Sequence, residues 1–557
     1  MRCGDIVRGR LVRIEEWCRS RLGEFLLFVL AVSLFALSHP NPLLPRGCAL
    51  LAYGALAPLF LLVRWASGFA VVFWGGAYGA FSYGAFSYWL FVFHPVALCV
   101  VAGFSALFLA ALCLALKAGG AFWQRRALLV QCLVWLGYEY AKTLGFLGFP
   151  YGVMGYSQWR VLPLIQVASV FGVWAVSALV VFPSAWLASV LGQWVEESER
   201  NARAFLSAAY SHWVSALVWV GLCGFCVCAA KAGWWPDCTA HTRAKVALVQ
   251  PNGDPRRGGI ESYRADFSTL TYLSDWALER YPDVDLVVWP ETAFVPRIDW
   301  HYRYRHEQQS FQLVCDLLDY VNAKNCPFII GSDDAYKKRT KEGNWERVDY
   351  NAALLFIPGV NVLPPSPQRY HKIKLVPFTE YFPYKRVFPW FYNFLEKQDA
   401  RFWAQGSEFV VFEARGLKFS VPICFEDAFG YITREFCARG ASLLVNISND
   451  SWAKSLSCQY QHLSMAVFRA IENRRALVRA STSGQTVAIA PDGRILDELQ
   501  PFAPGVLVAD VPIVTCACGG YRYWGDALGV FFCVASLFIL IAGGVRHMLR
   551  CRRGGWR

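Results

Sequence analysis

Hydrophobic residues run in long blocks over the first 231 positions, then in short bursts, then in one last long block. A helix that crosses a bilayer needs about 20 apolar residues. Blocks of that kind lie at about 22–38, 47–64, 68–93, 96–117, 127–147, 162–192 and 209–231, with an eighth at about 524–545. Glycines interrupt several of them, which membrane helices tolerate. From residue 244 the texture changes. KVALVQPN, DVDLVVWPE, PFIIGSDD, NAALLFIPG, KFSVPICFED, ASLLVNISND and TVAIAPDG are short apolar runs ending in turn residues, as buried strands do. SFQLVCDLLDYVNAKN and QHLSMAVFRAIENRR between them have helical periodicity. Strands alternating with helices predict a layered α/β domain. The expected organisation is a multi-pass helical domain over 1–231, an α/β domain over 244–512, a final span at 524–545 and a basic tail at 546–557.

Composition agrees: 55% of the 557 residues are hydrophobic and only 17% charged, the balance of a membrane protein with a water-soluble part. The net charge of +13 raises the question of nucleic acid. The arginines, however, sit beside the apolar blocks, and no basic stripe with interleaved aromatics is present, so no nucleic-acid partner is expected. Arg2, Arg8, Arg10, Arg13, Arg19 and Arg21 precede the first block. Arg64, then Lys117, Arg125 and Arg126, then Arg200 and Arg203 fall on the same side if the spans are right. Arg546, Arg550, Arg552, Arg553 and Arg557 close the chain, while the opposite short loops offer Arg46 and Arg160. Lys and Arg stay in the cytoplasm. Both termini are therefore expected there, and seven spans place 232–523 outside. The first apolar run has no small-residue cleavage site after it, so it is read as an uncleaved span.

Nineteen Cys bring no metal motif: Cys223, Cys226 and Cys228 lie in an apolar run, and Cys516 and Cys518 form a lone CxC. Whether Cys315, Cys326, Cys437 and Cys458 pair is open at this level. Glu139 and Lys142 fall in or near the fifth block, where charges are costly and often functional. At i, i+3 they could equally pair with each other.

Three segments carry reactive chemistry. Glu291 follows the strand pattern DLVVWP, Lys372 lies between NAALLFI and LVPF, and Cys424 follows KFSVPI with a helix-like stretch behind it. Reactive groups gather where strands end. A thiol attacks only as thiolate, so it needs a base or a lowered pKa. A helix N-terminus behind Cys424 would favour the thiolate. Glu291 can take the proton. Lys372, with a backbone N–H beside Cys424, can stabilise the oxyanion that attack on an ester or amide creates.

The same segments resemble the nitrilase superfamily, whose Glu-Lys-Cys triad stands on an αββα sandwich. WPE at 289–291, KxxLVPF at 372–378 with Glu380 behind it, and ICxE at 423–426 narrow the resemblance to the apolipoprotein N-acyltransferase family. SND with Trp452, QH at 461–462, RAIEN at 469–473, VRAS, PDG at 491–493 and FLGFPYGVMGYSQ at 146–158 continue it. The resemblance implies eight spans with a periplasmic nitrilase-like domain, in a bacterial inner membrane. It implies Glu291 as general base, Lys372 as oxyanion stabiliser and Cys424 as nucleophile, with Glu380, Glu426 and Trp452 in support. It implies transfer of an acyl chain from the sn-1 position of a phospholipid, through a Cys thioester, to the α-amine of a diacylglyceryl-cysteine apolipoprotein, without cofactor or metal. Phe425, Thr379, Ala453 and Lys454 depart from the family pattern, none of them in the triad. Phe425 removes a hydroxyl beside the nucleophile.

The aromatic and basic stretch from Tyr381 to Tyr392 follows Glu380 directly. Such a mixture favours the headgroup zone, so Trp390 and Phe391 are expected on a surface arm that admits lipid. Two rival readings stand beside the transferase: a membrane-anchored amidase acting on a small amide, and a scaffold or transporter with an inactive domain. Acyl label on Cys424 from a phospholipid separates all three.

Overall fold

The computed structural model describes residues 20–197, 201–234, 242–254, 258–339, 343–397, 402–515 and 519–554. Arg2, Arg8, Arg10, Arg13, Arg19, Arg200, Arg557 and the CxC at Cys516 and Cys518 lie outside the described residues, as do the side chains of Arg552 and Arg553. The chain divides into two compact units. One takes in the N-terminal helices, Ser455–Ser464 and the C-terminal helix; the other takes in the strands.

In the helical unit each expected block contains helix: Arg21–Ser38, Ala49–Ala52 with Ala57–Trp65, Ala70–Phe86, Pro95–Phe122, Ala127–Ala141, Val173–Glu196, Trp213–Lys231 and Ala527–Gly554. Five of these, at Arg21, Pro95, Val173, Trp213 and Ala527, are long and apolar enough to cross a membrane; the rest are shorter. Boundaries differ from expectation in three places. The block at 162–192 is not one helix: two short turns, Leu162–Ile165 and Ala168–Phe171, end at Gly172, whose φ of 66° breaks the helix before Val173. The fifth helix stops at Ala141, and the chain turns through Gly145 at φ 69°. The final helix runs on to Gly554, so the tail expected from 546 is helical as far as it is described. Arg is a good helix former, and nothing there breaks the ladder. An unexpected helix, Ala202–Ser211, is capped by Asn201, whose side chain accepts from the Ala204 N–H at 2.9 Å.

Packing in this unit depends on small residues and satisfied polar groups. A Cβ at Gly79 would sit 2.3 Å from the Ser105 carbonyl oxygen, so only glycine lets helix Ala70–Phe86 approach helix Pro95–Phe122 this closely. Glu139 and Lys142 are not paired with each other. Glu139 accepts from Trp135 Nε1 at 3.0 Å and Met154 N at 2.9 Å. Lys142 Nζ donates to the Tyr83 hydroxyl at 2.5 Å and the Tyr151 carbonyl at 2.8 Å. Both therefore tie down the loop at 149–154. Gln461 belongs to this unit: its amide donates to the Pro40 and Phe86 carbonyls and accepts from Trp89 Nε1 at 2.9 Å.

The second unit is two six-stranded sheets. The strands are β1 Thr242–Gln250, β2 Leu286–Val288, β3 Phe328–Arg339, β4 Trp345–Phe356, β5 Gln368–His371, β6 Phe412–Ala414, β7 Leu417–Ser420, β8 Leu443–Ser448, β9 Ala476–Ser481, β10 Val487–Ile489, β11 Ile495–Glu498 and β12 Gly505–Ile513. They form the orders β12-β1-β2-β3-β4-β5 and β11-β10-β9-β8-β7-β6. The sheets meet where β1 and β12 pack on β9. Helices Ile260–Arg280 and Gln308–Asn322 cover the first sheet, burying Leu270, Ala277, Leu313, Leu317 and Val321 against Val287, Phe328 and Ile330. The result is the expected α/β sandwich. Each strand read from the sequence is present, and β5, β6, β9, β11 and β12 are added. Cys315, Cys326 and Cys437 are thiols.

Candidate active site

The parallel centre of each sheet delivers its reactive residue where a strand ends. In the first sheet β2 pairs in parallel with β1 and β3, and Trp289-Pro290 carries the chain to Glu291. Trp289 is fully buried, with its indole N–H on Ser274 Oγ at 2.9 Å. The approach is close: a Cβ at Gly331 would meet the Pro290 carbonyl oxygen at 2.1 Å. Lys372 follows β5 directly. His371 faces Ala352 across the β4–β5 ladder, and Lys372 N bonds Asn351 O at 2.9 Å. That register places Lys372 beside Asn351, whose Nδ2 donates to Glu291 Oε1 at 2.7 Å.

In the second sheet β7 and β8 run parallel, and Ile423 bridges Ile447 just beyond them. Asn446 on β8 donates to the carbonyls of both Pro422 and Cys424, at 3.1 and 3.2 Å. The turn is tight: Cys424 has φ 51°, and Thr292 beside Glu291 has φ 53°. Each left-handed residue costs about 1–2 kcal/mol, a strain that concentrates at functional sites.

The structure brings Glu291, Lys372, Glu380, Cys424 and Glu426 together. Lys372 Nζ donates to Glu291 Oε1 at 3.2 Å and to Glu380 Oε1 at 2.9 Å, with none of its side chain exposed. Glu291 Oε2 accepts from Asn449 N at 2.9 Å, and Glu380 Oε2 from Val376 N at 2.8 Å. Burial alone would lower the Lys372 pKa. The carboxylates of Glu291 and Glu380, with Cys424, overcome that and hold the ammonium well above its ordinary value. Burial, then the Glu291 charge, pushes the Cys424 thiol well up, and Lys372 only partly offsets them. The resting residue is therefore a thiol. The helix-dipole expectation is corrected here: the element at Cys424–Ala428 is one five-residue 3-10 turn, too short for its dipole to outweigh burial and a facing carboxylate.

Glu426 holds the turn at Cys424 to the loop that follows Lys372. Its Oε1 accepts from Ile373 N at 2.7 Å and Lys374 N at 2.9 Å, its Oε2 from Ile423 N at 2.7 Å, and the Tyr370 hydroxyl donates to both oxygens. Sequence reasoning missed several partners. Arg479 is fully buried and pairs with Asp450 at 2.7 Å and Asp427 at 3.5 Å, tying the turn at Cys424 to the loop that holds Glu291 through Asn449. SND and VRAS contain Asn449, Asp450 and Arg479, but a motif alone does not say which charges meet. Asn351 gave no signal beyond opening a strand.

Trp452 is half-buried on the turn after Asp450. Phe425, where the family pattern departs, is buried edge-on against Phe429 at 4.9 Å. Trp390 and Phe391 stand on helix Pro389–Lys397. Phe391 packs on Phe378 and Phe382, which flank Glu380 in the chain, at 6.1 and 5.3 Å. Trp390 is 69% exposed, in company with exposed Tyr384, Val387 and Phe388. Among the described residues no group of His, Cys, Asp and Glu is arranged to hold a metal ion.

The carbon-nitrogen hydrolase family model matches residues 245–518, and the model of the apolipoprotein N-acyltransferase N-terminal domain matches residues 31–186. The chain is 44% identical over 526 residues to apolipoprotein N-acyltransferase 1 of Treponema denticola, covering 93% of this chain and 95% of that protein. It is 30% identical over 564 residues to apolipoprotein N-acyltransferase of Geobacter metallireducens, covering 97% and 98%. Among solved structures, Nit3 of Saccharomyces cerevisiae, of the nitrilase superfamily, aligns at 17% identity and a TM-score of 0.35, covering 51% of this chain and 94% of that one.

Glu426 supplies a test of this electrostatic account. Burial outweighs its hydrogen bonds and raises its pKa from 4.5 to about 7. Between those values the folded protein binds a proton that the unfolded chain does not. Its contribution to stability is thus full below pH 4.5 and is lost as pH rises toward 7, at about 1.4 kcal/mol per pH unit. Glu426→Gln is neutral throughout. The unfolding temperature of the wild type minus that of the variant should increase as pH falls from 7 to 5; a difference independent of pH refutes the account.

Proposed function

We propose, from the fact that this chain belongs to the apolipoprotein N-acyltransferase family, that Glu291, Lys372 and Cys424 carry acyl transfer between membrane substrates. The chain is a membrane enzyme of lipoprotein N-acylation, with a carbon-nitrogen hydrolase domain. The observation that supports the residue roles is the buried lysine shared by two carboxylates beside a protonated thiol.

The steps follow from that arrangement. Glu291 takes the Cys424 proton as sulfur attacks the sn-1 ester carbonyl of a phospholipid. Lys372 faces the oxyanion as it forms. Collapse breaks the ester C–O bond, Glu291 returns the proton to the leaving oxygen, and lysophospholipid departs. The thioester is then attacked by the α-amine of an N-terminal diacylglyceryl-cysteine. Glu291 takes a proton from that amine, an amide forms, and the thiol is regenerated. Glu380 and Glu426 act as positioning residues, the first on the ammonium and the second on the two loops. Trp452 borders the same loop as Asn449.

The charge bias supports an inner-membrane protein with both termini in the cytoplasm and residues 244–512 in the periplasm, where lipoprotein acceptors stand. The exposed aromatic helix around Trp390, with Lys385 and Arg386 before it, suits the headgroup zone and is proposed to admit lipid to the site. Neither rival reading gains an observation of its own.

Incubation of the purified protein with acyl-labelled phosphatidylethanolamine should give hydroxylamine-sensitive label, absent from Cys424→Ala; label that survives the substitution overturns the mechanism. Replacing Trp390 and Phe391 together with Ser should slow thioester formation on bilayer substrate roughly tenfold, as expected for losing two interfacial aromatics. Unchanged rates there remove the arm from the mechanism. For orientation, a reporter fused after Arg243 should be active outside the cytoplasm, and activity only in the cytosol reverses the topology.

A further inference from the structure

We infer that the C-terminal ends of helices Pro95–Phe122 and Ala527–Gly554 form a binding site for the phosphate headgroup of an anionic phospholipid, separate from the acyl-transfer site. The two helices pack together, and Trp123 fixes the contact by donating its indole N–H to the Ile539 carbonyl at 2.9 Å. The Phe122 ring meets His547 at a tilt of 37° with centroids 5.6 Å apart, and a Cβ at Gly543 would lie 2.6 Å from the Trp123 indole nitrogen. This joint is therefore rigid and fitted.

Two arginines share that one indole. The Arg546 guanidinium lies 5.2 Å from the Trp123 ring centroid and the Arg126 guanidinium 6.0 Å. Arg125 adjoins Arg126, and Arg550 is one helical turn beyond Arg546; all four are exposed. Cations held around one ring repel one another, and an anion lying among them relieves that repulsion. Neither segment that carries the four arginines supplies one: there is no Asp or Glu between Pro95 and Tyr138, nor between Ala527 and Arg557. Among the described residues no salt bridge involves any of the four. The two helix C-termini contribute roughly half a negative charge each, against four full positive charges.

The chemistry of the anion that suits this cluster follows from the cluster's place. Both helices are long and apolar enough to cross a membrane, and the cluster stands where their apolar stretch ends. On the C-terminal helix the arginines adjoin exposed Phe538, Ile541, Val545 and Leu549. A ligand that sets a phosphate among guanidinium forks and lays acyl chains along aliphatic side chains satisfies both features. A zwitterionic lipid brings its own ammonium to the cluster and fits less well. The site does not depend on the proposed orientation. In that orientation it faces the cytoplasmic leaflet.

The full chain, purified in detergent, is equilibrated with equal amounts of phosphatidylglycerol and phosphatidylcholine, and lipid that stays bound is counted by native mass spectrometry. The wild type should retain phosphatidylglycerol selectively. The triple variant Arg126→Gln, Arg546→Gln, Arg550→Gln should retain roughly tenfold less. The triple Lys variant, which keeps the charge, should bind detectably and controls for misfolding, as does undiminished thioester formation on Cys424 in the Gln variant. Equal retention of the two lipids by the wild type overturns the proposal, as does a Gln variant that binds as well as the wild type. Displacement of the bound lipid by millimolar inorganic phosphate would also overturn it, since a site built for lipid holds the chains as well as the charge.

Discussion

The ammonium of Lys372, buried with no exposed surface, is the constraint from which the rest of the soluble unit's site follows. An ion of that size taken out of water loses several kcal/mol even after the protein relaxes, and far more if left alone. It persists because two carboxylates meet it, Glu291 and Glu380. Those carboxylates are themselves held by Asn351, Asn449 N and Val376 N. These donors come from three separate places in the chain: the middle of β4, the residue after β8 and the loop after β5. Removing both carboxylates would leave the ammonium buried and unpaired, a change that costs about 3–5 kcal/mol or more. Loop positions around the site are thus set by charge neutralisation as much as by hydrophobic packing.

The neutralisation is deliberately uneven. Two carboxylates face one ammonium, and burial with the Glu291 charge keeps Cys424 protonated. The same excess raises the Glu380 carboxyl, where burial leads and Lys372 pulls the other way. A resting thiol of this kind is protected from oxidation and exchange, which act on the thiolate. In the proposed mechanism Glu291 takes the thiol's proton, which removes the charge that disfavours thiolate at rest, and the oxyanion then forms beside the positive charge of Lys372.

Much of this was legible in the sequence because strand ends are marked by composition. DLVVWPE and KFSVPICFED place Glu291 and Cys424 in the short turns just past the ends of β2, at Val288, and β7, at Ser420. Lys372 was legible only as a lysine between two apolar runs. The four-residue strand β5 that delivers it is too short and too polar, QRYH, to show period-two alternation. The long-range partners were not legible. Asn351 is 60 residues from Glu291, and Arg479 is 29 from Asp450 and 52 from Asp427. Buried ion pairs at such separations depend on register between strands, which one sequence does not display.

The helical unit was legible in a different way. Each long block that hydropathy picked out contains helix, since twenty apolar residues have few other uses, while the more polar helix Ala202–Ser211 escaped it. It could not locate the breaks at Gly172 and Gly145, because glycine is tolerated within membrane helices and acts as a breaker only where packing demands a positive φ. Nor could it say whom Glu139 and Lys142 meet. Spacing of i, i+3 offered a pair, yet each instead bonds a loop that follows the helix, Met154 N in one case and the Tyr151 carbonyl in the other. In a low-dielectric setting a backbone group without a helical partner costs more than a side-chain pair gains, so charged side chains are drawn to unsatisfied backbone. The same rule explains Gln461, whose amide satisfies the Pro40 and Phe86 carbonyls at a helix end. Polar side chains in the helical unit thus serve as caps for irregular backbone, which is why they cluster where helices stop.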